Sequence, residues 1–406
     1  MGSSNKSKKG MMPIFYTVCI LFWFAQYIYT PFLSAYLSMI GVGVSMIGMI
    51  IGSYGVLQMI TRTPISIFDT QVRDHRIIIG GGLISVIIAC ITPVFSESAI
   101  GFLVCRTFAG LASATWVSYS AFLLEGGGKD INKRMGKMLT ASTAGVLIAQ
   151  FVGTLIYNKN NMEVLFIIGI ASAVAAFLLF LTIANDPSMH PKYLKSKTKK
   201  GAKRGAIRSP QLICCCILGL LMQIILFGTN LSFVAVYAQD MLNASTRQIG
   251  FIAILCQLSG LAMSTIFSKI GSKPLPEKAI VVGAFVTYII YCLLIAIVQS
   301  TIIMVLLQIL CGFSMGTLNV VLMANAGRGL KVTQQAFANG VLQSFNGMGI
   351  TFGPVIAASI YRLTNNYQYT FVIMAFVGLL AVIVAAVGYR NPRRWIKYRN
   401  ADRLNF

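Results

Sequence analysis

Two arginines, Arg62 and Arg106, stand inside apolar runs long enough to cross a lipid bilayer as helices. An unpaired guanidinium at that depth costs about 3 kcal/mol or more, so each has to face protein, water or an anion. Arg106 lies about eight residues into its run, close enough to the middle to meet a solute. Two readings of it stand: a partner for an anionic group, or a side chain satisfied by backbone carbonyls and polar neighbours. Arg62 is one turn from the end of its run, beside Pro64, where a long side chain reaches water by snorkelling.

Amides and phenols recur on one helical face. Phe22, Gln26, Tyr29, Leu33 and Tyr36 follow at i, i+4, i+7, i+11 and i+14, the spacing of a single stripe. Gln223, Phe227, Asn230, Val234 and Tyr237 repeat that stripe 201 residues later. Gln308, Gly312 and Asn319 share a face of a further run, and Asn339, Gln343 and Asn346 share a face of the next. Polar side chains on a lipid-embedded helix turn toward protein, where they line a cavity or hydrogen-bond a neighbouring helix. The candidate binding residues are Arg106, Gln26, Tyr29, Tyr36, Gln223, Asn230, Tyr237, Gln308, Asn319, Gln343 and Asn346. Trp116 and Tyr119 are read as packing.

Other chemistry is missing from the pattern. All 10 acids fall in loops, tails or span ends, and both histidines, His75 and His190, fall in loops. The buried Asp, Glu or His of a proton relay is therefore absent from the span centres. The 9 cysteines sit inside apolar runs. Successive Cys214, Cys215 and Cys216 point about 100° apart around a helix and cannot converge on one metal, which leaves apolar packing. Neither Gly80 to Gly82 nor Gly126 to Gly128 continues into the Gly-Lys-Ser/Thr of a phosphate loop. With no nucleophile and base pair and no metal set, the expectation is a non-enzyme without catalytic residues, metal or cofactor.

The elements that position these residues follow from composition. Hydrophobic residues make up 56% of the chain and charged ones 11%, against roughly half and a quarter in soluble domains. Long runs without alternation are helices rather than strands of a barrel. Twelve spans are expected, near 12–37, 44–67, 77–96, 98–123, 137–158, 163–185, 211–237, 247–269, 278–298, 301–326, 336–361 and 368–389. The first is too long for a secretory signal and is read as a span. Between the sixth and seventh, Asp186 to Pro210 carries eight Lys and Arg and one acid, a solvated linker rather than a nucleic-acid patch. The chain thus divides into a tail (1–11), a six-helix bundle (12–185), a basic linker (186–210), a second bundle (211–389) and a tail (390–406). Of 33 Lys and Arg, 28 lie in alternate loops, the linker and the tails, while the opposite loops hold only Lys159, Arg247 and Arg362. Such asymmetry places both termini and the linker in the cytoplasm. Short loops and small size point to a bacterial plasma membrane.

The halves repeat at nearly one offset. Phe32 to Tyr36 falls on Phe233 to Tyr237, Ile47-Gly48 on Ile249-Gly250, Arg106 to Gly110 on Gln308 to Gly312, and Gly153 on Gly353. Two like-oriented copies of a six-helix unit is the arrangement of parallel-repeat transporters.

With its basic central loop, this pattern resembles the major facilitator superfamily over nearly the whole chain. The family's G-x-x-x-D-(R/K)-x-G-(R/K)-(R/K) signature after span 2 keeps Asp69 and Arg73 here, with Ile65 and Val72 at its glycines. The Arg and Gly of the span 4 signature are Arg106 and Gly110; span 5 has Gly145 and Gly153 without the antiporter proline, and Gly349, Gly353 and Pro354 occur in span 11. The resemblance implies an all-α membrane fold of two pseudo-symmetric six-helix bundles, Arg106 in a cavity wall, and Asp69, Arg73 and Arg76 as a cytoplasmic gate between the halves. The function expected is secondary transport by alternating access, for a small organic anion or metabolite. Alternatives are proton-coupled efflux of multidrug or amphipathic compounds, and a transporter-like sensor, scaffold or lipid flippase. Expected partners are a small-molecule substrate, the lipid bilayer and, for symport, a coupling ion, with no nucleic acid and a monomeric chain.

Overall fold

Hydrocarbon offers no water to backbone N–H and C=O groups, so each apolar run closes its own hydrogen bonds as a helix. The computed structural model describes residues 2–69, 75–125, 131–158, 161–184, 209–270, 277–328, 330 and 332–389. The first half comprises α1 (Gly2–Tyr27), α2 (Thr30–Met39), α3 (Val44–Asp69), α4 (His75–Phe95), α5 (Ala99–Ala114), α6 (Trp116–Glu125), α7 (Ile131–Ile156) and α8 (Met162–Ala184). The second comprises α9 (Pro210–Gly228), α10 (Phe233–Leu242), α11 (Thr246–Ile270), α12 (Glu277–Ile297), α13 (Thr301–Ala326), α14 (Val332–Thr364) and α15 (Tyr367–Gly388). Among the described residues there are 11 spans long and apolar enough to cross a membrane, with α1 and α2, α5 and α6, and α9 and α10 each joined into one. The twelfth is α14, whose 33 residues are ample in length but carry Asn339, Gln343, Asn346 and Thr351. Its polar residues face protein rather than lipid, which is why apolarity alone undercounts it. The chain is an integral membrane protein.

Spans 1 and 7 are broken at equivalent places. Pro31 removes a donor between α1 and α2, and the Thr30 hydroxyl donates to the Gln26 carbonyl at 2.6 Å. Between α9 and α10 there is no proline; the Thr229 hydroxyl donates to the Ile225 carbonyl at 2.7 Å and Ser232 to that of Phe227. Breaks at matching positions of two repeats are where such folds build sites, because freed backbone and polar side chains then meet protein instead of lipid.

The packing repeats as the sequence does. In the first half α1 packs on α7 and α8, α4 on α5 and α8, and α3 on α5; in the second α9 packs on α14 and α15, α12 on α13 and α15, and α11 on α13. Individual hydrogen bonds repeat as well. Arg76 donates to the Ala184 carbonyl and Lys278 to that of Ala386, each across 108 residues. Tyr36 donates to Glu97 and Tyr237 to the Val298 carbonyl, each across 61. Close helix approach is shared too: a Cβ on Gly110 would sit 2.1 Å from the Tyr54 carbonyl oxygen, and one on Gly312 would sit 2.1 Å from that of Cys256. At both places glycine lets backbone touch backbone.

The halves meet along α3 and α14, along α7 and α11, and where α2 meets α10. We call the end where α8 finishes and α9 begins the linker side. On the opposite side, Gln239 donates to the Ala35 carbonyl at 3.3 Å and the Ser38 hydroxyl to Asp240 at 3.3 Å, both from one half to the other. Gly250 of α11 also lies against Thr154 of α7 there. The far side of the seam is thus held shut.

Candidate functional site

Between the halves lies a cavity of about 250 Å³. Its first-half wall carries Trp23 and Tyr27 from α1, Tyr54, Gln58 and Arg62 from α3, and Gln150 from α7. From the second half come Gln223, Phe227 and Asn230 around the broken span 7, Gln257 of α11, Asn319 of α13, and Gln343 and Asn346 of α14. Tyr54, Gln58 and Arg62 are spaced by four residues and so share one face of α3.

Arg62 is the one charged side chain in the described lining. Its Nη1 donates to Gln343 Oε1 at 2.6 Å and its Nη2 to the Ser113 carbonyl at 3.4 Å, both neutral acceptors, while its Nε has no partner. A half-buried guanidinium met only by neutral dipoles keeps an uncompensated charge, which favours an anion. Further buried polar atoms of the lining are also without partners: Trp23 Nε1, Gln58 Nε2, Gln150 Oε1, Gln223 Oε1 and Asn346 Oδ1. Orphaned donors and acceptors around a space are the groups that a polar guest satisfies. Tyr54 and Phe227 face each other across the seam with nearly parallel rings, 6.3 Å between centroids.

Of the residues singled out from sequence, Gln223, Asn230, Asn319, Gln343 and Asn346 line this cavity. Gln308 stands directly behind it, 0% exposed, accepting from Asn230 Nδ2 and from the Tyr291 hydroxyl at 3.3 Å. Arg106 is 3% exposed and lies behind Tyr54, its guanidinium carbon 4.4 Å from that ring's centroid and its Nε unpartnered. A cation over an aromatic face is satisfied in part by the ring quadrupole. Gln26, Tyr29, Tyr36 and Tyr237 are outside the lining. Gln26 accepts from the Ser113 hydroxyl at 2.9 Å, and Tyr29 packs on Phe166 with centroids 4.6 Å apart. Tyr36 and Tyr237 are fastened within their own halves through Glu97 and Val298. Arg76 bonds to Ala184 of its own half, while Arg73 and the side chain of Asp69 lie outside the described residues.

Sequence reasoning missed Trp23, Tyr27, Tyr54, Gln58, Arg62, Gln150 and Gln257 as lining. The signal was present in the stripe one residue on from Phe22 and Gln26, where Trp23 and Tyr27 sit, and in the Tyr54, Gln58, Arg62 spacing.

Comparison with known proteins gives the frame. Over 260 residues the chain is 21% identical to the proton-coupled antiporter flippase LtaA of Staphylococcus aureus (strain USA300), a match covering 62% of this chain and 63% of the relative. The chain therefore spans less than two thirds of the length of that relative. Among solved structures, the nucleoside transporter NupG superposes with a TM-score of 0.74 at 16% identity, covering 94% of this chain and 99% of that one. A bacterial homologue of the human lysosomal transporter Spinster, in its inward-facing and occupied conformation, superposes with a TM-score of 0.73 at 14% identity, covering 95% and 98%. These likenesses identify the fold. A family model described as Major Facilitator Superfamily matches residues 15–297 and again 226–404, so that both halves are covered, and the chain belongs to the Major Facilitator Superfamily.

Proposed function

We propose that this chain is a secondary transporter that carries a small organic anion across the plasma membrane by alternating access, with the linker and both termini in the cytoplasm. The observation that carries the proposal is the inter-half cavity in whose described lining Arg62 is the only charge, ringed by amides with unsatisfied atoms. A monoanion meets one cation there and no carboxylate of the described lining. At about 250 Å³ the space lies below the roughly 300–1,000 Å³ of drug-sized sites, which supports a metabolite-sized cargo over amphipathic drugs. The seam's closed far side supports access from the cytoplasm in this state. The substrate residues of this reading are Arg62, Gln223, Asn230, Asn319, Gln343 and Asn346. Gln308 holds Asn230 in place, and Arg106 backs Tyr54. Asp69, Arg73 and Arg76 keep their proposed part at the cytoplasmic ends.

A thermal-shift screen of the purified protein tests this. Small organic monoanions should stabilise it, by about 2.7 kcal/mol at a concentration of 100 times Kd, while uncharged analogues should not. Stabilisation by cationic amphiphiles and by no anion would replace the reading with efflux of such compounds.

The similarity to LtaA favours a second reading, in which the anion at Arg62 is the headgroup of a lipid. Movement of a fluorescent anionic lipid between leaflets of proteoliposomes, with no flux of water-soluble anions, would establish it in place of the first.

A further inference from the structure

Arg62 does two things at once. It is the cavity's cation, and it joins the halves, because Ser113 belongs to the first and Gln343 to the second. One residue on, the hydroxyls of Thr63 and Ser344 are 2.7 Å apart across the same seam. Both contacts sit toward the linker-side end of the seam between α3 and α14. We propose that the Arg62–Gln343 bond is a cargo-released tie: the anion displaces Gln343 from the guanidinium, and only then do α3 and α14 part at the linker-side end of their seam. This rests on the anion reading above and adds how binding is converted into movement.

The repeat supplies an independent argument. Ser264 occupies the place of Arg62 in the second half, 202 residues later, and its hydroxyl donates to the Gly316 carbonyl at 3.2 Å and to that of Gly260 at 2.8 Å, both in its own half. The bond from Arg62 to Ser113 has a near counterpart in the bond from Ser264 to Gly316, whose carbonyl lies one residue past the position 202 on from Ser113. Arg62 therefore keeps the inward bond of the repeat and adds one that crosses to the other half.

The chemistry gives the direction. Gln343 offers one neutral amide oxygen, whereas a carboxylate or phosphate brings a formal negative charge and two oxygens that take a bidentate pair of bonds from the guanidinium. Seating the anion on the fork turns the guanidinium off the amide. A ligand shifts a two-state equilibrium only by what it gains in one state over the other. Here that differential is the exchange of acceptors at Arg62. A hydrogen bond to a charged group corresponds to roughly 10- to 100-fold in an equilibrium constant, enough to govern opening.

The test uses the full-length protein in nanodiscs with Ser344→Cys as a reporter, alkylated by a maleimide as the seam opens. Gln343→Leu removes the acceptor, and Gln343→Glu supplies a permanent carboxylate. Without added anion, alkylation should quicken about tenfold or more in Gln343→Leu and slow in Gln343→Glu. Benzoate, with benzyl alcohol as the uncharged control, should quicken alkylation of the parent but add nothing in Gln343→Leu. Equal rates in the parent and both variants would overturn the tie. Equal acceleration by benzoate in the parent and in Gln343→Leu would overturn the displacement while leaving the anion reading intact. Should benzoate, lactate and phenyl phosphate all leave the parent unstabilised while Gln343→Leu still opens the seam, the anion reading falls and release by cargo falls with it.

Discussion

Replacing Gly110 and Gly312 with alanine, singly and together, probes the repeat at equivalent places where each copy packs backbone against backbone. In each case the new Cβ would sit 2.1 Å from a carbonyl oxygen, that of Tyr54 or of Cys256. An ordinary C···O approach is about 3.3 Å, so each methyl overlaps its neighbour by about 1.2 Å. The obstructing atom is backbone, so relief requires α5 to move off α3, or α13 off α11. Overpacking of this kind costs about 1–3 kcal/mol, and an unyielding neighbour puts both sites near the upper end. At roughly 2–4 °C per kcal/mol for a unit of about 200 residues, each variant should lose about 6–12 °C in Tm. The two sites lie in different halves and share no partner, so the double variant should lose about the sum. Gly283, where an added methyl would meet nothing within 4 Å, is the control, and Gly283→Ala should leave Tm unchanged or raise it slightly. Tm by intrinsic fluorescence in detergent reads all four. An unshifted Gly110→Ala, or a loss at Gly110 without one at Gly312, would refute the argument from equivalent packing.

Asp240 receives the Ser38 and Tyr367 hydroxyls on the far side, so Asp240→Asn should speed opening there by about 2- to 5-fold, the worth of an exposed charged contact, read as hydrogen–deuterium exchange of α2 and α10. Gln308→Leu strands the buried Asn230 amide and Tyr291 hydroxyl, which should cost about 1–3 kcal/mol in stability and weaken solute binding measured by thermal shift. Glu277 grips the Arg328 guanidinium at 2.5 and 2.8 Å, but the side chains are 18% and 37% exposed. Glu277→Gln should therefore cost no more than about 1 kcal/mol, a difference that shrinks in high salt when Tm is followed against ionic strength.

Apolar runs of bilayer length announced the spans, and the recurrence of Phe32 to Tyr36 at Phe233 to Tyr237 announced the repeat, because both depend on local composition and on duplicated sequence. The broken helix in span 1 was legible through Pro31; that in span 7 was not, since Thr229 and Ser232 stabilise it by side-chain bonds with no residue that forces a break. The site was legible in part. Hydropathy separates a lipid-facing surface from a protein-facing one, but span 1 has two protein-facing surfaces, one toward its own bundle and one toward the other half. Gln26 and Tyr29 occupy the former, Trp23 and Tyr27 the latter. Arg62 reads locally as a side chain reaching for water beside Pro64. Its partner Gln343 is 281 residues away, and no spacing rule connects positions in different halves.

The central claim is that an anion crosses through the cavity by way of Arg62, and uptake into liposomes containing the purified protein tests it most directly. Radiolabelled small organic monoanions are supplied outside, with an inside-positive potential, to the parent chain, to Arg62→Gln and to protein-free vesicles. The account predicts saturable uptake by the parent that rises with the potential and falls to the protein-free level in Arg62→Gln, with the variant's Tm showing it folded. Uptake undiminished in folded Arg62→Gln would contradict it.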